Sequence, residues 1–312
     1  MLRLLKVKTK REKNFMPINK KLFLIIFIFN FALANSGLTS LKICPAVREA
    51  AMANTGVASA QGPQAIYFNP ATIGFYQNFL ASLYYAKWFS DMHHQSLFVT
   101  RPTKIFNIGV GIVNFSYGKV EYRDTKPTDE PIDYFIPQDY SLFLTLSRAL
   151  DSRTAIGVSG KFYYQKILDK TASSGGIDVG LKLDVMPKLS LGFSIINFGG
   201  TLRYLREKFW LPTEAKAGAN LKFDLGTTGS SLIGAIDCSY LPYDKRLHLG
   251  IGAEFALNNF LFLQGGFRPF SETNKFSTGL GFKLKSFRIE YSFSPYTYDL
   301  GITHRFALGF GY

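Results

Sequence analysis

The sequence predicts an all-β protein: a transmembrane antiparallel up-and-down β-barrel of about 14 strands with a small N-terminal hatch or plug. Three observations support this fold class. Apolar and polar residues alternate in segment after segment, the first 34 residues have the composition of an export signal, and the final segment alternates up to the last residue. Strict alternation gives a strand one apolar and one polar face. A membrane barrel turns the apolar face to lipid and the polar face to its lumen.

The N-terminal residues are typical of a secretory signal peptide. Residues 1–21 contain eight basic residues and one acid, and a mostly apolar run of 12 residues follows over residues 22–33. Ala32-Leu33-Ala34 supplies the small residues of a cleavage site, and the apolar run is too short to span a bilayer. We expect residues 1–34 to be removed on export to the outer membrane of a bacterium of the Gram-negative type.

Charge and composition exclude a nucleic-acid binder and favour a membrane protein. The signal segment, which starts at Met1 or Met16, supplies +7 of the formal net charge of +14, so the mature chain carries +7 without a run of basic residues. Hydrophobic residues make up 47% of the chain, yet no stretch after residue 34 is long and apolar enough for a transmembrane helix. Cys44 and Cys238 are the only cysteines, and we expect both to be packing residues.

Residues 76–312 form the predicted barrel, one strand after another without an intervening helix. An even number of strands places both termini at the same end, which in bacterial barrels is the periplasmic end. The predicted strands are Asn78–Trp88, Gln95–Pro102, Ile105–Phe115, Asp139–Leu150, Arg153–Lys166, Gly176–Val185, Leu189–Phe198, Glu214–Asp224, Ser231–Tyr240, Arg246–Leu257, Asn259–Phe267, Asn274–Lys285, Phe287–Ser294 and Leu300–Tyr312. The links between them alternate in length: those at 103–104 and 151–152 are typical of periplasmic turns, and those at 116–138, 167–174 and 199–213 of extracellular loops.

Ionised residues occupy the face opposite the apolar one in several predicted strands. An Arg or Lys that faced lipid at mid-depth would cost about 2–4 kcal/mol, so we expect these side chains inside the lumen or near an interface. They either pair with one another and fill a plugged lumen or line a path through it. The eight lumen-facing candidates are Lys161, Asp178, Lys182, Asp184, Glu254, Lys283, Arg288 and Glu290.

The last segment has apolar side chains at every second position and ends on an aromatic residue. A bare edge strand invites aggregation in a soluble protein, whereas a closed barrel pairs its last strand with its first. On this segment alone, the final strand of a soluble sandwich is the alternative. The segment also resembles the signal that barrel-assembly machinery recognises, and we expect that machinery and outer-membrane lipid as partners. The residues of this C-terminal assembly signal are Phe306, Leu308, Phe310 and Tyr312.

Residues 35–75 precede the first predicted strand and are rich in small residues, which pack closely enough to fit inside a narrow lumen. We expect a hatch here, with Asn69 capping its backbone and Pro70 fixing its turn. Gly56 and Ala71 complete the candidate hatch site.

Two parts of this segment also resemble a known family. Thr55-Gly56-Val57-Ala58-Ser59-Ala60 and Ala65-Ile66-Tyr67-Phe68-Asn69-Pro70-Ala71 resemble the N-terminal region of FadL-type outer-membrane transporters. The closer resemblance, shared by residues 301–310, is to the PorV/PorQ family, a FadL-like branch associated with type IX secretion. In detail the resemblance covers residues 45–75 and 287–312, and it implies a 14-stranded barrel with an N-terminal hatch.

The PorV/PorQ resemblance implies a role in type IX-like protein secretion or in surface attachment of secreted proteins, with secreted cargo proteins as partners. The FadL resemblance implies the alternative, a channel for uptake of hydrophobic solutes such as long-chain fatty acids. A rigid plugged lumen with exposed aromatic loops would favour the first function. An apolar groove, a kinked strand and a mobile hatch would favour the second.

Enzymatic activity, a metal site and a cofactor are not expected. A hydrolase would need a nucleophile signature close to a histidine, and no such signature accompanies any of the four histidines. No group of residues has the spacing of metal ligands either. The histidines are His93, His94, His248 and His304.

Overall fold

A computed structural model of the chain describes residues 36–123, 129–204, 207–226 and 229–312. The predicted signal peptide, residues 1–34, lies outside the described residues. Within the described part of the chain, no helix is long and apolar enough to cross a membrane.

Fourteen strands among these residues form one closed antiparallel barrel. Each strand pairs with its neighbours along the chain, and the first pairs with the last, with Ala81 opposite Phe310. The predicted fold class is therefore confirmed, and each predicted strand overlaps one barrel strand. In chain order the barrel strands are β1 (Leu80–Lys87), β2 (His93–Pro102), β3 (Asn107–Ser116), β6 (Gln138–Ala149), β7 (Thr154–Ile167), β8 (Lys170–Met186), β9 (Leu189–Phe198), β12 (Glu214–Leu225), β13 (Ser230–Leu241), β14 (Arg246–Leu257), β15 (Leu261–Phe267), β16 (Phe276–Leu284), β17 (Phe287–Pro295) and β18 (Ile302–Phe310).

Two further hairpins lie outside the barrel sheet, in segments that the sequence predicted as extracellular loops. β4 (Val120–Tyr122) pairs with β5 (Asp133–Phe135), and β10 (Thr201–Tyr204) pairs with β11 (Glu207–Trp210). The prediction of a long loop at 167–174 is wrong, because β7 and β8 continue as a hairpin through those residues up to the pair Ile167–Lys170.

The barrel has one end with short turns and one end with longer connections. Residues 187–188 and 285–286 link strands at the short-turn end, where β1 begins and β18 ends. At the other end, called here the long-loop end, both extra hairpins and the segments 268–275 and 296–301 connect the strands. In bacterial outer-membrane barrels the short turns face the periplasm and the longer loops face outward.

The strand faces follow the alternation of the sequence. In β6, Leu142, Leu144 and Leu146 are 47%, 56% and 41% exposed, whereas Phe143 and Thr145 between them are fully buried. Side chains of a strand alternate between its two faces. These regularly exposed leucines therefore form a lipid-facing surface.

Residues 36–75 run inside the barrel, where the sequence predicts a hatch, and this segment is called the hatch below. They form a 3₁₀ turn (Thr39–Lys42), a short helix α1 (Val47–Ala51), a second one α2 (Ala65–Phe68) and a further 3₁₀ turn (Pro70–Phe75). Most of these residues are buried. The largest cluster of buried apolar side chains joins the hatch to the barrel wall and includes Ile66, Tyr67, Phe68, Phe98 and Phe143. The core of this protein is thus the interface between the hatch and the wall.

Candidate functional site

Asn69 links two parts of the hatch to each other and to the barrel wall. Its backbone is extended, and its Oδ1 accepts a hydrogen bond from the backbone N–H of Ala71 at 3.0 Å, which caps the turn that begins at Pro70. Its Nδ2 donates to the carbonyl of Val57 in the hatch at 2.9 Å and to that of Leu181 in β8 at 3.0 Å. One amide therefore satisfies three backbone groups.

Gly56 lies where the hatch backbone meets an acidic side chain of the wall. The N–H groups of Gly56 and Val57 both donate to Asp237 Oδ2 of β13, at 2.6 and 2.8 Å. A β-carbon at position 56 would lie 2.6 Å from the ring of Phe68, so only glycine allows this approach. Asp237 was not among the predicted site residues. Its position on the polar, inward-facing side of a predicted strand could have indicated it.

Arg48 of α1 is the centre of a buried ion-pair network. Its guanidinium donates to both carboxylate oxygens of Glu254 in β14, at 2.8 and 3.0 Å. Arg288 in β17 lies 3.2 Å from the same carboxylate and 2.8 Å from that of Glu290. Three of the eight lumen-facing candidates thus meet here, around a hatch arginine that sequence reasoning missed. Beside it, burial raises the pKa of the Glu49 carboxyl, and the charge of Arg48 opposes that shift.

Lys161 and Asp178 form a second buried pair, with 2.6 Å between Nζ and Oδ2. Asn197 of β9 accepts from Lys161 at 2.9 Å, and its backbone N–H donates to Asp178 at 2.7 Å. Asn197 has a φ of 57°, and the register between β8 and β9 shifts beside it. A β-bulge therefore distorts the wall at this pair.

Among the described residues, no hydrogen bond or ion pair joins the other three predicted lumenal charges to the hatch. Lys182 and Asp184 are half-buried neighbours in β8, and Asp184 accepts a hydrogen bond from Ser190 at 2.7 Å. Lys283 is half-buried and, among the described residues, makes no ion pair. Proximity to the short-turn end explains their greater exposure.

Two more carboxylates hold the start of the hatch at the long-loop end, that of Asp244 in the turn between β13 and β14 and that of Asp139 in β6. Ser36 Oγ donates to Asp244 at 3.0 Å, and Lys42 Nζ lies 2.7 Å from the same carboxylate. Burial tends to raise the pKa of Asp244, but the hydrogen bonds from Lys42 and Ser36 outweigh it and hold that pKa below its usual value. Ser40 donates to Asp139, which also accepts from Tyr117 at 2.7 Å.

A cavity of about 540 Å³ lies between the hatch, strands β12 to β14 and the segment 268–273, on the long-loop side of the hatch. The hatch contributes Val57, Tyr67 and Phe68 to its lining, and the wall contributes Lys216, Arg268 and other polar groups. This volume is in the range of small-molecule sites, about 300–1,000 Å³. The lining combines apolar side chains with charged ones, so the cavity can hold a small molecule that has both characters.

The residues of the predicted C-terminal signal do not share one face. Phe306, Leu308 and Phe310 point outward and are 51%, 49% and 45% exposed, as the alternation predicts. Tyr312 follows the end of β18 and is directed inward by Gly311, whose φ is 92°. The Tyr312 hydroxyl lies 3.0 Å from Ser82 Oγ. The expectation that Tyr312 continues the apolar face is therefore wrong.

The described residues form a closed 14-stranded barrel that holds an internal hatch. Solved structures with this fold include the Pseudomonas putida toluene transporter TodX, with a TM-score of 0.59 and 13% identity over 84% of this chain and 95% of TodX. A Pseudomonas aeruginosa FadL homologue aligns with a TM-score of 0.51 and 12% identity over 85% of this chain and 98% of that protein. At this identity the likeness is one of fold.

No family model matches the sequence, and no curated protein matches it either. The resemblance to the PorV/PorQ branch rests on the sequence motifs alone. Among the described residues, no group of three or more His, Cys, Asp or Glu side chains is placed to hold a metal ion.

Proposed function

We propose that this protein passes hydrophobic or amphipathic small molecules across the outer membrane, the function that the sequence suggested as the alternative. The observation that carries the proposal is the cavity of about 540 Å³ above the hatch, in a barrel with the fold of a toluene transporter. The cavity lies on the long-loop side, and its floor is the hatch itself. A solute from outside would therefore reach the hatch before anything else in the lumen.

Passage beyond the cavity requires the hatch to shift, because the hatch backbone packs directly against the wall. A β-carbon on Gly157 would collide with the carbonyl of Pro70, and one on Gly192 with that of Val57. Besides the apolar cluster around Phe68 and Phe143, polar contacts through four carboxylates hold the hatch against the barrel. These carboxylates belong to Asp237, Glu254, Asp244 and Asp139. Such contacts can exchange for water when a solute displaces the hatch.

Filling the cavity tests this proposal. Ser239 is in the inward phase of β13 and lines the cavity, whereas the adjacent Cys238 faces outward and is exposed. Ser239→Trp should reduce the uptake of radiolabelled toluene or oleate by cells that depend on this protein. Cys238→Trp adds the same ring to the lipid-facing side and should leave uptake unchanged. Equal uptake by wild type, Ser239→Trp and cells without the protein would contradict the proposal.

A second candidate function is the PorV/PorQ role in protein secretion or surface attachment. Closely packed hatch backbone and exposed aromatic residues at the long-loop end favour it, with Tyr298 and Phe270 being 75% and 60% exposed. Deleting the protein should then remove secreted proteins from the cell surface without any change in solute uptake. Unchanged surface proteins together with lost uptake would leave the transport function.

A further inference from the structure

Among the described residues, the buried Arg305 and the half-buried Arg268 have no carboxylate partner, unlike the buried Arg48 and Arg288. Arg48 and Arg288 each contact a carboxylate within 2.8 Å. Arg305 in β18 is only 5% exposed, yet its one side-chain hydrogen bond among the described residues goes from Nη1 to Ser294 Oγ, at 3.2 Å. Arg268, just past β15, donates to Asn274 Oδ1. Within the part of the chain that the structure describes, the Nε atoms of Arg268 and Arg305 are buried without a hydrogen-bond partner.

The groups around Arg305 are further hydrogen-bonding groups without partners. Ser292 lies directly opposite Arg305 in the strand register, and Thr303 is the next inward residue of β18. Both side chains are buried, at 0% and 1% exposed, and both hydroxyl oxygens lack a hydrogen-bond partner within the described chain. Buried polar groups in folded proteins are nearly always satisfied, by protein, water or an ion.

Arg268 connects this group of residues to the cavity. It lines the cavity, and its partner Asn274 donates to the carbonyl of Pro295, the residue next to Ser294, which is the partner of Arg305. The three cavity acids offer these arginines little compensation. Glu214 lies 3.0 Å from Lys216, Asp237 accepts the two hatch N–H groups, and Glu272 is exposed and makes no ion pair with either arginine among the described residues. An isolated buried cation is strongly unfavourable in free energy. The arrangement is therefore incomplete without an anion.

We propose that Arg268, Arg305, Ser292 and Thr303 form a lumenal binding site for an oxyanion group, a carboxylate or a phosphate. A guanidinium presents several N–H donors in one plane and binds such groups through two oxygens at once. The two hydroxyls supply further donors. This proposal does not depend on the proposed transport of hydrophobic solutes, because a small inorganic anion alone would satisfy the site.

Titration calorimetry on the full-length protein in detergent tests the site. Sodium phosphate, sodium sulfate and sodium acetate are the probes, in low-chloride buffer at constant ionic strength. We expect saturable binding of at least one probe, and a loss of affinity of at least about tenfold in Arg305→Gln and in Arg268→Gln, since hydrogen bonds to charged groups contribute that much. Arg101→Gln removes an exposed arginine and serves as the matched control, with unchanged affinity.

The outcomes separate the chemistry and decide the proposal. Binding of acetate alone assigns the site to carboxylates, and binding of phosphate or sulfate assigns it to tetrahedral oxyanions. Thr303→Val, which keeps the shape of the side chain, should weaken binding and carries the test if Arg305→Gln does not fold. Absence of saturable binding for all three probes in the wild type overturns the proposal, as does wild-type affinity in both arginine variants.

Discussion

Gly180 of β8 lies directly against Asn69 of the hatch, so that a β-carbon on Gly180 would collide with Asn69 Oδ1. The same strand offers the carbonyl of Leu181 to the other end of that amide. The absence of a side chain at Gly180 therefore leaves room for the Asn69 amide, and the two residues form one close contact between wall and hatch. Similar contacts recur where Gly192 meets Val57, which is why the hatch fits a lumen this narrow.

Gly180→Val should displace Asn69 and destabilise the hatch. Overpacking at a close-packed contact costs about 1–3 kcal/mol, and the midpoint of thermal unfolding in detergent should fall accordingly. Gly160→Val is the matched control, because nothing lies within 4 Å of a β-carbon at that position. An unfolding midpoint equal to that of the control would mean that Gly180 and Asn69 pack less closely than the structure shows.

Asn69→Ala should loosen the hatch and raise leakage of small solutes. The substitution leaves the carbonyls of Val57 and Leu181 and the N–H of Ala71 without their partner. We expect it to lower the free energy of unfolding by about 2 kcal/mol. Release of a small dye from proteoliposomes measures the leak. Asn114→Ala, which removes one weak hydrogen bond of 3.5 Å, should not change it, and unchanged leakage in Asn69→Ala would refute the role of this residue.

Glu254→Gln should be the most destabilising of these variants. It leaves the charges of Arg48 and Arg288 buried without their shared carboxylate, and removing one partner of a buried pair costs about 3–5 kcal/mol. Adding Arg48→Met should recover part of the loss, because it removes one uncompensated charge. The midpoints of thermal unfolding of both variants are compared with that of Glu121→Gln, which breaks an exposed ion pair with Arg123. A larger loss in the double variant would mean that Arg48 is held by other groups.

Acid should release the start of the hatch from Asp244. The pKa of Asp244 is lower in the folded protein than in the unfolded chain, and hydrogen bonds from Lys42 and Ser36 cause this despite burial. Its contribution is therefore complete above the unfolded value and is lost as pH falls through the folded value. Asp244→Asn should lower the unfolding midpoint at pH 7, and the difference from wild type should shrink below about pH 4. Asp91→Asn, in an exposed loop, should match wild type throughout, and a difference that persists in acid would contradict the assignment.

The alternation of residues predicted the barrel strands because alternation is a local property of extended backbone. It did not predict the β10–β11 hairpin, whose stability depends on Leu202 and Leu211 packing against Leu38 and Tyr163. Tyr312 was placed on the wrong face for a related reason. One residue, Gly311, takes a left-handed φ after the strand ends, and no periodicity signals such a change.

The sequence by itself determined the class of fold, the face of each barrel strand, and that ionised residues would point inward, since each follows from spacing along a few neighbouring residues. Only the tertiary structure decided which inward residue meets which part of the hatch. Arg48 and Glu254 are 206 residues apart, and Asn69 and Leu181 are 112 apart. Such pairs depend on how the barrel closes and on how far each strand is shifted along its neighbours. Many acids and glycines face inward, and nothing in their local sequence shows which of them will contact the hatch.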